Sequence, residues 1–416
     1  MSHSTVKGLF TRLSSTSRTI WENQFGTNEQ TVQSLCKRLL TLRGETAAIL
    51  VADEINERLE KQTDEENLSF FEFLLSDMQP DEAKLQDAAQ AYLTSPTPDT
   101  ISELAKASDA RFMSLFRMIS TSPRGPHALV KLRQSLHKLL PDNPRLQPID
   151  QGLVHLFRSW FNRGFLTLEK IDWTTSAHIL EKLISYEAVH EIKGWPDLRR
   201  RLDNDRRCYA FFHPALKDEP LIFVEVALVD KLSGNIQTLL NQSPENAAIQ
   251  PNTAIFYSIS NCQPGLKGIS FGNYLIKQVV RNLNIELPDL KQFSTLSPVP
   301  GFRKWFDANP PISNSISEND PSLLAEACAH YLINEKRKVL PLDPVARFHL
   351  GNGATLARIN WNGDNSDRAR QQSYGIMVNY VYDMSKVEKN HEAFVNNGTI
   401  STTSAISKLA AAYGKR

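Results

Sequence analysis

The 416-residue chain is longer than one hydrophobic core usually supports, so its length predicts two domains. Its composition, 41% hydrophobic and 22% charged, is that of a globular protein and excludes fibrous, low-complexity and disulfide-scaffold classes. Because 47 Lys and Arg balance 46 Asp and Glu, no overall field would attract nucleic acid or a membrane surface, and neither is expected as a partner.

The amino-terminal part, residues 1–165, is predicted to be all-α. Apolar side chains at Val32, Leu35, Leu39 and Leu42 recur at the three-and-four spacing of one helix face, and clustered prolines mark the ends of successive helices. Catalytic residue types do not converge in this part of the sequence. We therefore expect a helical bundle that serves packing or oligomer contacts.

The pattern changes after Phe165, where β-branched runs begin to alternate with helical segments. Residues 166–416 are therefore predicted to form a mixed α and β domain. The predicted strands are Pro220–Val229, Thr253–Ser260, Gln292–Ser297, Thr355–Trp361 and Tyr374–Tyr382, and the predicted helices are about Phe271–Leu283 and Leu323–Lys336. The arginines between Arg199 and Arg207 are interleaved with aspartates and are predicted to form a solvated or interdomain face.

A glycine-rich loop lies between a strand pattern and a helix pattern. Glycines let a backbone approach a ligand closely, and the N-terminus of the following helix favours a phosphate. The spacing matches neither the dinucleotide Gly-x-Gly-x-x-Gly nor a P-loop, so we interpret it as a CoA pyrophosphate loop, with a plain strand-to-helix turn as the alternative. The candidate binding residues are Gln263, Gly265, Lys267, Gly268, Gly272 and Asn273.

Two later stretches carry candidate reactive side chains. Ser297 precedes a rigid turn containing Pro298 and Pro300, where a hydroxyl can be held against a ligand, although Ser before Pro is also a common turn starter. No Gly-x-Ser-x-Gly elbow surrounds it, so an acyl-serine nucleophile is not indicated. His349 lies beside a glycine-rich bend, where a loop histidine reaches a pocket and titrates near neutrality, unless it is simply structural.

Several of these stretches resemble malonyl-CoA decarboxylases. The resemblance runs in order from about Trp173 to Tyr382 and rests on the motifs at residues 213–215, 220–228, 256–260, 294–302 and 348–354. It implies an α+β protein: a helical bundle followed by a catalytic domain with a GCN5-related acetyltransferase-like fold. It further implies decarboxylation of malonyl-CoA to acetyl-CoA and CO2, assembly into homo-oligomers (a dimer or tetramer through the helical domain), and no metal or organic cofactor.

The resemblance also implies roles for individual residues. The family's catalytic serine falls on Ser297 and its catalytic histidine on His349, with a supporting serine at Ser258 and a supporting tyrosine at Tyr382. Where many relatives have a glutamate in the loop, this chain has Ser270, so a carboxylate role there does not carry over. We hypothesise that Ser297 hydrogen-bonds the malonyl carboxylate or the thioester oxygen, that His349 delivers or relays a proton, and that the other two residues orient them.

Two other functions fit the same features. One is a CoA-dependent acyltransferase of the same fold, which would need an acceptor groove and a base beside it. The other is a non-catalytic CoA-binding scaffold. The simultaneous presence of Ser297, His349 and Tyr382 within their motifs favours the decarboxylase.

Cysteine usage and the first residues bear on the compartment. The four cysteines are too widely spaced for a Cys-x-x-Cys metal site and too few for a secreted disulfide framework, which predicts a cytoplasmic protein. The sequence contains no uninterrupted run of about 18 apolar residues, so it predicts no membrane span. Acidic residues are absent before Glu22, so a presequence for the mitochondrial matrix is the alternative.

Overall fold

The computed structural model describes residues 31–241, 250–269, 274–309 and 320–414. These residues form two compact units. The helical unit contains residues 31–162 together with the loop residues 263–269, and the sheet unit contains residues 163–241, 250–262, 274–309 and 320–414. Within the described ranges, no helix is both long and apolar enough to cross a membrane.

The helical unit is built from amphipathic helices. Val32, Leu35 and Leu39 of the predicted stripe are buried on the first of them, whereas Leu42 lies beyond its end and is half-buried. The helices are α1 (Val32–Leu39), α2 (Glu45–Leu59), α3 (Asp64–Asp77), α4 (Glu82–Thr94), α5 (Pro98–Ser108), α6 (Arg111–Ile119), α7 (Gly125–Leu139) and α8 (Gln147–Trp160). Local sequence sets several starts: the Thr63 hydroxyl accepts the Glu66 N–H while the Glu66 carboxylate accepts the Thr63 N–H, a reciprocal capping box.

The sheet unit is organised around one mixed sheet. Over the described residues, the strands run in the order β1-β2-β3-β4-β5-β10-β6, with β9 paired to β10. The strands of this sheet are β1 (Thr167–Ile171), β2 (Arg206–Phe212), β3 (Ile222–Val229), β4 (Thr253–Asn261), β5 (Gln292–Thr295), β6 (Ser297–Pro298), β9 (Thr355–Asn360) and β10 (Met377–Val381), while β7 (Lys336–Arg337) and β8 (Leu340–Pro341) form a separate hairpin. Neighbouring strands are antiparallel except β4 and β5, which run parallel.

Helices surround this sheet in the same unit. They are α9 (Ala177–Tyr186), α10 (Trp195–Arg201), α11 (Ile236–Asn241), α12 (Tyr274–Glu286), α13 (Phe302–Ala308), α14 (Pro321–Asn334), α15 (Pro344–Gly351), α16 (Asp367–Ser373), α17 (Val387–Asn397) and α18 (Ser404–Tyr413). Leu180 and Leu183 of α9 pack against Cys208, Ala210 and other buried residues of β2 and β3. A helical amino-terminal part followed by a mixed sheet with flanking helices confirms the predicted α+β fold class.

Strands β4 and β5 separate after a short parallel pairing. Residues Thr253–Phe256 pair with Gln292–Thr295, whereas β4 continues to Asn261 without a β5 partner in the part of the chain described. On its other side β4 stays paired with β3, through a bulge between Glu225 and Val226. Beyond Phe256, β4 therefore has an edge without a β5 partner among the described residues, and an extended ligand can pair with such an edge.

The prediction of a solvated arginine face is wrong for Arg201 and Arg206. Arg201 Nη1 donates to buried Glu225 Oε2 at 2.8 Å, and both side chains are almost fully buried. Arg206 opens strand β2, a strand that the sequence patterns missed, and its guanidinium donates to Asp205 and to the Leu239 carbonyl. The planar fork of arginine satisfies several acceptors at once, so Arg201 and Arg206 are part of the interior of the sheet unit, whereas Arg199 is exposed.

Candidate active site

Ser297 is positioned by the β5–β6 segment. In an extended strand, side chains two residues apart lie on the same face, so Thr295 and Ser297 are brought together. The Ser297 hydroxyl donates to Thr295 Oγ1 at 2.8 Å. The backbone of Ser297 lies opposite Val378 of β10, and this pairing holds the hydroxyl at the sheet.

His349 lies in a helix and not, as predicted, in a loop. Helix α15 begins with Asp343 as its N-cap and Pro344 in its first turn, a strong start signal that places His349 in the last turn. Asp343 Oδ1 accepts the backbone N–H groups of Val345 and Ala346 at 2.9 and 2.8 Å. The glycine-rich stretch lies just beyond the helix, where Gly353 has φ of 84°.

The structure joins Ser297, His349 and Tyr382 in one chain of hydrogen bonds. His349 Nε2 lies 3.1 Å from Ser297 Oγ, and His349 Nδ1 lies 2.9 Å from the Tyr382 hydroxyl. The single hydroxyl hydrogen of Ser297 is directed to Thr295, so His349 donates its Nε2–H to Ser297 Oγ. The Nδ1 atom is then the acceptor, and Tyr382 donates to it.

Tyr380 and Thr295 support this chain of hydrogen bonds, and the sequence did not predict a role at the site for either. Tyr380 stacks on the His349 ring, with centroids 4.7 Å apart and planes inclined by 24°. Its backbone N–H donates to Thr295 Oγ1 at 3.2 Å, so Thr295 accepts from both Tyr380 and Ser297. The spacing of Thr295 and Ser297, two residues apart in a strand, was the signal that could have identified Thr295.

Burial decides the charge state of the histidine. The imidazole is fully enclosed, and loss of solvation lowers the pKa of His349 to about 3. The same effect raises the pKa of Tyr382 well above its usual range. The prediction that His349 titrates near neutrality is therefore wrong, because the ring stays neutral at physiological pH.

Because His349 is neutral, we predict that activity does not change with pH on the acid side of neutrality. An ordinary histidine would protonate near pH 6.5; with a pKa of about 3, His349 keeps its neutral form as the pH falls from 7 to 5. We expect kcat/KM to stay level across that interval. For the malonyl thioester that the resemblance implies, malonyl-pantetheine is the suitable test substrate, because it lacks the CoA phosphomonoester, which itself titrates near pH 6. A drop of about tenfold per pH unit below 6.5 would contradict the assignment.

The cap of the histidine-bearing helix gives a second prediction. Burial raises the pKa of Asp343 to about 6, so the folded protein binds its proton more tightly than the unfolded chain. The stability that this proton adds to the folded protein is fully present below pH 3.8, the pKa of the carboxyl in the unfolded chain. It is lost as the pH rises through the folded pKa of about 6. At pH 7, Asp343→Ala should therefore lower stability by about 1 kcal/mol through loss of the cap, while Asp343→Asn, which still caps, should match or exceed the wild type. Thermal melting checks the ranking, and an unstable Asn variant beside a stable Ala variant would contradict it.

Ser258 is not joined to the His349 chain by any hydrogen bond among the described residues. Its hydroxyl lies 2.8 Å from both carboxylate oxygens of Glu187 and 3.3 Å from the Ser260 hydroxyl. Glu187 also accepts the backbone N–H groups of Val189 and His190. Ser258 therefore lies in a separate polar cluster on β4, and its supporting role in the reaction stays a prediction.

The described part of the predicted CoA loop, residues 263–269, contains both buried and exposed positions. Gln263 and Gly265 are buried, whereas Lys267 and Gly268 are exposed. Gly268 has φ of 82°, and a Cβ added there would meet open space. The predicted contacts Gly272 and Asn273, and Ser270 with them, lie outside the described residues. In the described ranges, no group of three or more His, Cys, Asp or Glu is arranged to hold a metal ion.

Comparison with protein-family models gives two matches. Residues 164–324 and 313–416 match the malonyl-CoA decarboxylase C-terminal domain, and residues 78–161 match the malonyl-CoA decarboxylase N-terminal domain. Two curated relatives are the mitochondrial malonyl-CoA decarboxylases of Anser anser anser and Rattus norvegicus. The first is 36% identical over 345 residues, which cover 71% of this chain and 68% of that protein. The second is 35% identical over 352 residues, which cover 73% of this chain and 72% of that protein.

Solved structures agree with these matches over more of the chain. The malonyl-CoA decarboxylase of Rhodopseudomonas palustris superposes with a TM-score of 0.86 at 43% identity, covering 91% of this chain and 98% of that one. The malonyl-CoA decarboxylase of Agrobacterium vitis gives a TM-score of 0.85 at 44% identity, covering 91% and 99%. The similarity thus includes both the helical unit and the sheet unit.

Proposed function

This chain belongs to the malonyl-CoA decarboxylase family, and we propose that its conversion of malonyl-CoA to acetyl-CoA and CO2 takes place at Ser297 and His349. The observation that carries the proposal is the buried chain Thr295–Ser297–His349–Tyr382, in which every link is a hydrogen bond of 2.8 to 3.1 Å. This arrangement places the Ser297 hydroxyl next to the His349 Nε2–H.

The first step breaks the bond between the malonyl C2 atom and the free carboxylate. Its electron pair forms the enolate double bond, so negative charge develops on the thioester oxygen while CO2 departs. The Ser297 hydroxyl, turned from Thr295 toward the ligand, donates to that oxygen. Donors held at a developing oxyanion are usually the largest single contribution to such catalysis.

The second step protonates C2. The Nε2–H of neutral His349 is released from Ser297 when the serine turns to the substrate, and it supplies the proton. The Tyr382 hydroxyl simultaneously gives its proton to Nδ1, so the imidazole returns to its neutral form. The Nδ1 proton then returns to the Tyr382 oxygen while solvent reprotonates Nε2, which restores both side chains to their starting forms. The balance is one proton taken up for each CO2 released.

The acyl-CoA chain has a suitable place beside these residues. The β4 segment beyond Phe256 lacks a β5 partner in the described sheet, and an extended ligand with amide groups pairs naturally with such an unpaired edge. The residues that would hold the pyrophosphate follow β4 in the sequence. They are Gln263, Gly265, Lys267, Gly268, Gly272 and Asn273. The Lys267 ammonium is exposed and supplies a positive charge.

The two parts of the chain have different tasks in this proposal. Residues 166–416 carry the chemistry, and residues 1–165 join copies of the chain into a dimer or tetramer. Helices α4 and α5 bury no residue, and Leu93 and Ile101 on them are 74% and 53% exposed, as expected of a surface that another copy covers. We expect light scattering to report an oligomer that Leu93→Glu with Ile101→Glu weakens at unchanged turnover per chain. A wild-type monomer would contradict this part.

The cysteines support a cytoplasmic location, with the mitochondrial matrix as the alternative reducing compartment. All four lie buried and free of disulfides. Fractionation of the source cells with detection of the native chain would distinguish the two compartments.

The experiment for the reaction is turnover in heavy water. Purified protein is mixed with malonyl-CoA, without metal or acceptor, and acetyl-CoA and CO2 are measured. Enolate protonation by exchangeable groups predicts a methyl group carrying one deuterium. An acyltransferase would instead form product only when an amine acceptor is added, and a scaffold would bind CoA without turnover; either result would contradict the proposal.

A further inference from the structure

Arg133 of helix α7 is buried beneath the proposed CoA loop, within the helical unit. Its side chain is only 3% exposed. Nη1 donates to the Gly265 carbonyl at 2.7 Å and to the Lys267 carbonyl at 2.8 Å, and Nε donates to Asp150 Oδ1 at 2.8 Å. One guanidinium therefore holds two carbonyls of the loop and is itself oriented by a carboxylate on α8.

The same face of α7 fixes the loop by close packing. A Cβ added at Gly265 would lie 1.9 Å from the Val130 carbonyl oxygen, so only glycine allows this approach. Val130 and Arg133 are three residues apart and share a face of the helix. His137 lies one turn further along that face. Its Nε2 atom is hydrogen-bonded to Asp150 Oδ1 at 3.0 Å, which completes the polar cluster.

These contacts determine which way the loop amides point. The C=O and the following N–H of a trans peptide point in opposite directions, so anchoring the Lys267 carbonyl on Arg133 turns the Gly268 N–H away from α7. The neighbouring amides of Leu266, Lys267 and Ile269 are used by carbonyls inside the loop. The Gly268 N–H is thus directed away from α7, and both Gly268 and its neighbour Lys267 are exposed.

We infer that Arg133 is a positioning residue for the CoA pyrophosphate, acting through the peptide between Lys267 and Gly268. It does not touch the ligand. It holds a backbone donor and a neighbouring ammonium in the arrangement that binds phosphate oxygens. The inference rests on the proposed function, since it assigns the pyrophosphate to this loop.

The test compares two substrates in one variant. Arg133→Lys keeps the buried positive charge but removes the fork that serves two carbonyls and Asp150 together. We expect KM for malonyl-CoA to rise by about tenfold with kcat within about twofold, and the Kd for CoA measured by calorimetry to rise in parallel. With malonyl-pantetheine, which has no pyrophosphate, kcat/KM should stay within about twofold of the wild type.

The matched control is Arg124→Lys, the same substitution at the N-terminal end of α7, where the guanidinium donates to Asp53 Oδ1 at 3.3 Å and not to the loop carbonyls. It should change KM for malonyl-CoA much less than Arg133→Lys does. An equal loss on both substrates in Arg133→Lys, or an unchanged KM for malonyl-CoA, would overturn the inference. So would a wild-type protein that turns over both substrates equally well, whereas a wild type inactive on both would overturn the proposed function itself.

Discussion

Replacing His349 by glutamine is expected to lower kcat for malonyl-CoA by about 10² to 10⁴-fold, the usual contribution of a positioned proton donor. Glutamine has an N–H that reaches toward Ser297, but it cannot pass a proton from Tyr382, because it lacks the second ring nitrogen. The loss should therefore appear in kcat while the Kd for CoA changes little. Steady-state kinetics and calorimetry give the two values.

The relay makes a second variant informative. Tyr382→Phe leaves the imidazole in place and removes the group that donates to Nδ1 at 2.9 Å. It should lower kcat in the same direction as His349→Gln, and the double variant should be little worse than the more damaging single one, because residues that act as a unit are not additive. His178→Gln, at an exposed position on α9, is the control and should be silent. Full activity in His349→Gln would reject the histidine as proton donor.

Replacing Ser297 by alanine is expected to lower kcat by about 10² to 10³-fold, the effect of removing one donor to a developing oxyanion. The variant leaves the proposed CoA loop and the unpaired part of β4 unchanged, so binding of CoA should persist. The measurement is single-turnover CO2 release at saturating malonyl-CoA, which isolates the chemical step from product release.

Ser294 is the matched control for that variant. It lies on the same segment and is fully buried, but its hydroxyl donates to the Thr295 carbonyl at 3.2 Å and does not reach His349. Ser294→Ala should retain near-normal kcat at a smaller cost in stability, because it deletes one buried hydrogen bond worth about 1 kcal/mol while Ser297→Ala deletes two. Equal losses of activity in Ser294→Ala and Ser297→Ala would show that the effect is structural.

The site owes its properties to complete burial of a satisfied polar chain. Thr295, Ser297 and His349 are each at most 5% exposed, and each polar atom of the chain has a partner. In such surroundings a hydrogen bond is electrostatically stronger than in water. The same burial keeps His349 neutral, so its N–H acts as a donor without carrying charge.

Much of the fold followed from the sequence because the signals were local. The apolar spacing of Val32, Leu35 and Leu39 predicted a helix that the structure contains, and the β-branched runs predicted β3, β4, β9 and β10 with boundaries shifted by a few residues. Strands β1 and β2 were missed. Arg201 of α10 and Arg206 at the start of β2 look like surface residues until their buried acceptors, Glu225 and Asp205, are seen.

The sequence by itself determined the family and the reaction and predicted the roles of Ser297, His349 and Tyr382, because motifs preserve residue types and their order. The tertiary structure decided what those residues touch: that His349 lies at the end of a capped helix, that burial keeps its ring neutral, and that Ser258 faces Glu187. It also brought Arg133 to a loop some 130 residues later in the chain, at separations of 132 and 134 residues. Contacts between residues so distant in sequence depend on how the whole chain packs, and no local pattern records them.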